Sequence, residues 1–275
     1  MDGCFCFYQG RYFFQSTITL PFRSARCLPA RPSNTKQPVD FNILEISRNK
    51  RLPDSFVLSY RHPLASFIVQ KNTASIQFNS PLSQQGKQLF TYRFVVPALI
   101  KQQGLMVLHA SAIVIDGQLT LIIGRSGSGK SFYAANQVKQ GAQFYADDLL
   151  FIKQDGGQLM VSGGQPLFHL DELSLKKLGI NKASSHSVHG SAKYAVDVAL
   201  LGGEQITQQL PISRLLVLES AKAIELTKVA LLKLLLESEY KMPWFSEALV
   251  DEQQKFQSLA LLANTNKNIS ADAST

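Results

Sequence analysis

Residues 119–132 read LTLIIGRSGSGKSF, and this stretch decides the fold. Leu119 to Ile123 is an apolar run of strand length. Gly124 to Ser131 then fills the pattern G-x-x-x-x-G-K-[ST], and Ser131 to Gln140 continues with helical character. Strand, glycine-rich loop and helix in that order are the context a phosphate-binding loop requires. Its glycines let the backbone curl until successive N–H groups face one anion. The helix that follows adds the partial positive charge of its N-terminus. The whole stretch Gly124, Arg125, Ser126, Gly127, Ser128, Gly129, Lys130, Ser131 and Phe132 is therefore expected to hold a nucleotide. Lys130 would reach the β- and γ-phosphates, and the Ser131 hydroxyl would sit on Mg²⁺. A loop that merely capped a helix would need neither the lysine nor this spacing.

Seventeen residues after Lys130, the run Phe144-Tyr145-Ala146-Asp147-Asp148 ends what reads as a strand. A carboxylate there can hold Mg²⁺, directly or through water, or take a proton from an attacking hydroxyl. Two adjacent carboxylates could divide those tasks, whereas in isolation Asp-Asp reads as a turn or cap. Upstream, His109 stands in Leu108-His109-Ala110-Ser111-Ala112. On an apolar strand a lone histidine reads first as a core residue.

Taken together, LHASAIVIDG, LTLIIGRSGSGKS and QGAQFYADDLLFI resemble the C-terminal domain of HPr serine kinase/phosphorylase. They resemble still more the HPr-kinase-related proteins of bacterial peptide-maturation and polysaccharide gene clusters. The resemblance is strong over 105–153, weaker to about 262, and loose over 1–104. It implies an α/β fold with a mixed sheet, a P-loop core like that of HPr kinase and phosphoenolpyruvate carboxykinase, and ATP with Mg²⁺ as cofactors. It implies an ATP-dependent kinase whose acceptor is a serine of a peptide or protein. By position, Lys130 and Ser131 match the residues for phosphate and Mg²⁺. Asp147 matches the carboxylate that deprotonates the acceptor, and Asp148 matches its neighbour, which supports the metal or orients the site. His109 matches a histidine near the phosphates, so the catalytic set is Asp147, Lys130 and His109, and the metal set Ser131 and Asp148. Lys193 falls where relatives carry a basic residue beside the γ-phosphate. The family's hexamers imply a homo-oligomer. Two departures stand out: Phe132 follows the loop serine where an acidic residue is usual, and the later Glu-x-Arg-Gly signature, linked to phosphorolysis and metal binding, is absent. Two other readings remain beside the protein kinase: a kinase of small hydroxyl compounds, and a nucleotide-binding regulatory protein without chemistry.

The rest of the chain fits around this core. Its 275 residues allow one large or two small domains, and 45% hydrophobic content supplies a core. Residues 1–104 read as a β-rich region, a small antiparallel meander closed by a helix over Gly86–Gln103 that Pro97 kinks or splits. Residues 105–263 form the catalytic domain, and 264–275 a disordered tail. Asp116-Gly117 and Asp155-Gly156-Gly157 mark hairpins, and Asp171 and Gly179 bracket a short helix. Asn181 to Ser191 reads as a mobile loop, Ile224 to Leu226 as a short strand, and Pro243 as the opening of a last helix. The net charge of +8 contains no dense basic run, so nucleic acid is not an expected partner. Cys4, Cys6 and Cys27 are too few and too unevenly placed for a disulfide framework. Neither a signal peptide nor a membrane span is expected, and the setting that fits is cytoplasmic.

Overall fold

The computed structural model describes residues 5–9, 12–16, 41–45, 58–61, 64–70, 72–79, 81–102, 105–162, 164–187, 192–206, 208–218, 227–240, 252–265 and 267–270. They fall into two compact units, one ending before Leu105 and one beginning there. Of the sequence expectations, the strand at 224–226, residues 188–191 of the expected mobile loop and the helix start at Pro243 lie outside the described residues.

The first unit is a six-stranded sheet with a helical hairpin-length segment behind it in sequence. Its strands are β1 (Phe5–Gln9), β2 (Tyr12–Ser16), β3 (Phe41–Glu45), β4 (Leu58–Arg61), β5 (Ala65–Gln70) and β6 (Thr73–Phe78), in the order β1-β2-β3-β6-β5-β4. The sheet is not the antiparallel meander the sequence suggests. β3 lies parallel to both β2 and β6. The connections before and after β3 are long enough to carry the chain across, which two-residue turns are not. Helix α1 (Gln84–Phe90) starts at Ser83, whose hydroxyl accepts from the Gly86 N–H. It passes through one π-helical turn, Thr91–Val95, into α2 (Val96–Gln102). Pro97 thus neither ends nor splits the helix. The wider turn just before it absorbs the missing N–H and the ring.

The second unit is built on a five-stranded mixed sheet, β10-β8-β9-β17-β18. Its elements in chain order begin with β7 (Met106–Leu108), β8 (Ser111–Ile115), β9 (Gln118–Gly124), α3 (Lys130–Lys139) and β10 (Gln143–Asp147). Then come β11 (Leu150–Asp155), β12 (Gln158–Ser162), β13 (Leu167–Asp171), α4 (Glu172–Leu178), β14 (His186–Ser187) and β15 (Lys193–Asp197). The last are β16 (Leu210–Pro211), β17 (Arg214–Leu218), α5 (Lys228–Ser238), α6 (Glu252–Asn264) and β18 (Lys267–Ser270). β17 runs parallel to β9, while β8 runs antiparallel to both β9 and β10. The expected mixed α/β architecture is what forms. The hairpin at Asp116-Gly117 has both residues at positive φ, the geometry a two-residue turn between twisted strands needs.

Period-two alternation sorts the central strands into two cores. Ala112, Val114, Leu119, Leu121, Ile123, Leu215 and Val217 face one way, against α5, α6 and the β16-β12-β11-β7 sheet. Ile113, Ile122, Leu216 and Leu218 face the other, against α3, α4 and the β13-β15-β14 sheet. A sheet covered on both faces reads as unbroken apolar runs, which is how 119–123 and 215–218 appear in the sequence. The terminal strand β18 corrects the expectation of a disordered tail at 267–270. Its backbone pairs in parallel with β17 and so closes an edge that would otherwise leave N–H and C=O groups unpaired.

Candidate phosphate-binding active site

Strand β9 delivers the chain to Gly124, and the loop turns back at Gly127 and Gly129 to start α3. Both of these glycines have positive φ, 82° and 88°, which side-chain-bearing residues adopt at a cost. Gly124 is fixed by space instead. A Cβ there would lie 2.3 Å from the Leu218 carbonyl oxygen and 2.5 Å from Ser128 Oγ. The loop is therefore clamped against the end of β17, with Arg125, Ser126 and Gly127 exposed at its crest. Lys130 is 6% exposed, and its Nζ donates to the carbonyls of Gly124 (2.9 Å) and Arg125 (3.1 Å). Burial lowers the Lys130 pKa. Asp147 opposes that shift, Lys193 adds to it, and Asp148 opposes it again. An ammonium held in this dry position gains most from an arriving anion.

Strand β10 supplies the acid. Its register with β8 slips between Phe144 and Ala146, a bulge that leaves Tyr145 as the extra residue. In the unshifted register Asp147 would face Ala110. After the slip it faces Ser111, whose hydroxyl donates to Asp147 Oδ1 at 2.5 Å. The bulge also turns both Tyr145 and Ala146 into the α5–α6 core, where the Tyr145 hydroxyl donates to the carbonyls of Val161 and Gln208. Asp147 is 2% exposed and accepts from two further donors: Ser131 Oγ to Oδ1 (2.9 Å) and the His169 backbone N–H to Oδ2 (3.0 Å). Lys130, Ser131 and Asp147 are thus brought to one place.

Asp148 turns toward His109 while remaining among the charges that act on Lys130. Its φ of +74° belongs to a tight turn closed by Leu149 N–H to the Asp147 carbonyl, 3.0 Å. Asp is among the residues that tolerate this conformation. The turn aims the two adjacent carboxylates apart, and Asp148 Oδ1 lies 3.3 Å from His109 Nε2. His109 itself is held by its backbone N–H, which donates to the Ser238 carbonyl at the end of α5 (2.7 Å). So of the two carboxylates it is Asp147 that touches Ser131, while Asp148 partners His109. Phe132 packs against the core beneath α3, with the Lys177 ammonium 5.3 Å from its ring centre. Lys193 opens β15 directly across from Asp171.

Two site residues escape the sequence reading: Ser111 and His169. Ser111 carried a signal, a hydroxyl on an otherwise apolar strand two residues after His109. His169 carried none, because strand β13 itself is not evident from the pattern Leu167–Asp171.

The donors present suit a nucleotide phosphate and Mg²⁺. The glycine cradle admits no Cβ at Gly124, Lys130 is buried, and Ser128 Oγ in the loop is buried without a hydrogen-bond partner. Among the described residues no group of three or more His, Cys, Asp or Glu is placed to hold a metal. Mg²⁺ does not require such a group, since it is usually bound through one or two carboxylates with phosphates and water.

Comparison with known proteins gives one consistent relationship. One stretch is 40% identical over 74 residues to HPr kinase/phosphorylase of an Exiguobacterium species. Another match is 34% identical over 95 residues to HPr kinase/phosphorylase 1 of Oceanobacillus iheyensis. Part of this chain is related to HPr kinase/phosphorylase. The matches span only 23% and 30% of those two proteins and 26% and 34% of this chain. The Hpr(Ser) kinase/phosphatase of Coxiella burnetii aligns in structure at 24% identity with a TM-score of 0.30, covering 44% of this chain and 64% of that one. No family model matches the chain. Among the described residues no helix is long and apolar enough to cross a membrane, which says nothing of spanning strands.

Proposed function

We propose that this protein is an ATP-dependent, Mg²⁺-requiring kinase that transfers the γ-phosphoryl group to a hydroxyl, a serine of a peptide or protein. The observation that carries the proposal is the Ser131–Asp147 hydrogen bond at 2.9 Å beside the buried Lys130. It joins the phosphate loop to an acid at the end of β10, the strand that follows α3 in the chain and lies one strand removed from β9 in the sheet. The partial relationship to HPr kinase/phosphorylase supports the same reading, and HPr is the acceptor those relatives' names record.

Phosphoryl transfer asks little covalent help of a protein; it asks for positioning, charge neutralisation and a base. The loop N–H groups and the Lys130 ammonium would hold and neutralise the phosphates, Lys130 exchanging its two carbonyl partners for phosphate oxygens. Ser131 and Asp148 would hold a Mg²⁺, which when bound would supply charge neutralisation at the phosphates. A carboxylate offers about four acceptor positions, and three donors occupy Asp147, two on Oδ1 and one on Oδ2. The position left on Oδ2 can take the acceptor hydroxyl's proton.

The test is transfer from γ-labelled ATP, with Mg²⁺, to host-cell protein or to short serine peptides, beside Asp147→Asn. Label on a discrete protein that the variant fails to produce supports a kinase. Nucleotide binding with label only on small molecules would replace the acceptor class, and full activity in Asp147→Asn would remove the base assignment.

A further inference from the structure

His169 is 5% exposed, and its Nδ1 is buried with no hydrogen-bond partner. Buried polar atoms without partners are rare in folded proteins and reduce stability, so each one asks for a reason. The position of this one suggests the reason. The backbone N–H of the same residue donates to Asp147 Oδ2 at 3.0 Å. One N–Cα bond and the reach of an imidazole then keep Nδ1 within roughly 8 Å of that carboxylate oxygen. The first shell of a bound Mg²⁺ alone spans about 4 Å of such a distance.

The sheet's alternation says which way the ring faces. Phe168 and Leu170, on either side, enter the core beneath α3. His169 therefore stands on the opposite face of β13, with Asp171 two residues on. Across the ladder Asp171 pairs with Lys193 and His169 with Ala195, so Lys193 shares the face. Lys193 is also one of the charges felt by Lys130. The face that carries His169 thus also carries Lys193, a charge that acts on Lys130, and the His169 backbone joins Asp147 directly. A second unpartnered buried atom, Ser128 Oγ, lies on the loop itself. Two of the buried unpartnered side-chain atoms among the described residues thus belong to residues adjoining Lys130 and Asp147, and each could accept or donate a hydrogen bond to a polar ligand there.

We propose that His169 is a ligand-contacting residue of the phosphate site, its Nδ1 reserved for a hydrogen bond with the metal–nucleotide complex bound against Asp147 and Lys130. The proposal rests on the nucleotide-site reading above. It also predicts a trade between stability and binding: an apolar residue at 169 removes an unsatisfied atom from the free protein and a contact from the bound one.

The experiment compares wild type, His169→Leu and His169→Asn for thermal midpoint without ligand and for affinity toward a non-hydrolysable Mg²⁺–ATP analogue and toward adenosine. Expected for His169→Leu are a midpoint equal to or above that of wild type and at least tenfold weaker analogue binding, with adenosine affinity unchanged. His169→Asn, whose amide overlays the Nδ1 position, recovers most of the analogue affinity. A lower midpoint with unchanged analogue affinity in His169→Leu would make the histidine structural and overturn the proposal, as would an asparagine variant no better than leucine. Wild-type protein that binds no analogue at all would instead sink the nucleotide-site reading, a separate result visible before any variant is made.

Discussion

Ser111→Ala tests the arrangement around Asp147 most directly. Ser111 is 1% exposed, and its hydroxyl meets a carboxylate that is 2% exposed at 2.5 Å, so neither group has water to fall back on. A hydrogen bond to a charged group contributes about 1.5–3 kcal/mol. At about 2–4 °C per kcal/mol for a unit of this size, the thermal midpoint of the second unit should fall by about 3–12 °C. Activity should fall as well, because the carboxylate keeps only two of its three orienting donors. If the whole 1.5–3 kcal/mol is expressed in the transition state, kcat/KM drops about 10- to 160-fold, which is an upper bound. Nucleotide affinity should move little, since the only side-chain hydrogen bond shown for Ser111 is to Asp147. The assay is a double-mutant cycle of Ser111→Ala with Asp147→Asn, read by thermal denaturation and phosphoryl transfer. Residues in contact couple by about 0.5–3 kcal/mol. A serine variant with an unchanged midpoint and unchanged turnover, or a strictly additive cycle, would show that the bulge-set pairing of Ser111 and Asp147 does not hold the acid in place.

Further outcomes follow from the same geometry. Gly124→Ala forces a Cβ into the Leu218 carbonyl, a backbone atom that cannot rotate away, and should cost about 1–3 kcal/mol together with nucleotide binding; binding retained at wild-type affinity would contradict the loop's clamped position. Lys130 loses its proton at lower pH in the folded protein than its ordinary value of 10.5 in the unfolded chain. Between those two values the unfolded chain holds more proton, so stability rises with pH there and the deficit is present below. A bound phosphate favours the ammonium, so nucleotide binding should take up protons at alkaline pH just below the lysine range. Calorimetry in two buffers of different ionisation enthalpy reads this uptake, and its absence would contradict a desolvated Lys130. Asp171 caps α4 by accepting from the Ser174 N–H at 2.7 Å, and Asp171→Ala should cost about 0.5–2 kcal/mol; a change in midpoint too small to measure would mean the cap is idle.

Much of this is written locally in the chain. The phosphate loop, the Asp116-Gly117 hairpin, the Asp171 and Gly179 ends of α4 and the Thr227 cap of α5 each depend on a few neighbouring residues, and each forms where its residues say. Pairings between distant strands are not local. β3 beside β6 and β18 beside β17 each join segments whose own pattern is compatible with several partners, and no period within a strand selects among them.

The bulge at Tyr145 shows why the acid's role could be guessed while its surroundings could not. The residue pattern alone places two carboxylates after a strand without separating them; only the resemblance assigns the base to Asp147 and the neighbouring role to Asp148. One extra residue in β10 sets Asp147 opposite Ser111 and within reach of Ser131, and the left-handed turn at Asp148 then sends the second carboxylate to His109. Both devices cost backbone regularity, in a ladder otherwise paired residue for residue. Such irregularities persist where the surrounding structure over-determines them, and they cluster at functional sites. Here the surrounding structure is identifiable: Tyr145 is anchored by its hydroxyl to β12 and to Gln208, and Ile206 N–H donates to the Phe144 carbonyl. Gln205, Ile206 and Gln208 therefore brace the bulge, and through it the orientation of Asp147. Tyr145→Phe, which leaves every residue of the phosphate site in place, should lower kcat while leaving nucleotide affinity near wild type. A variant that loses thermal stability but keeps full turnover would separate the brace from the acid.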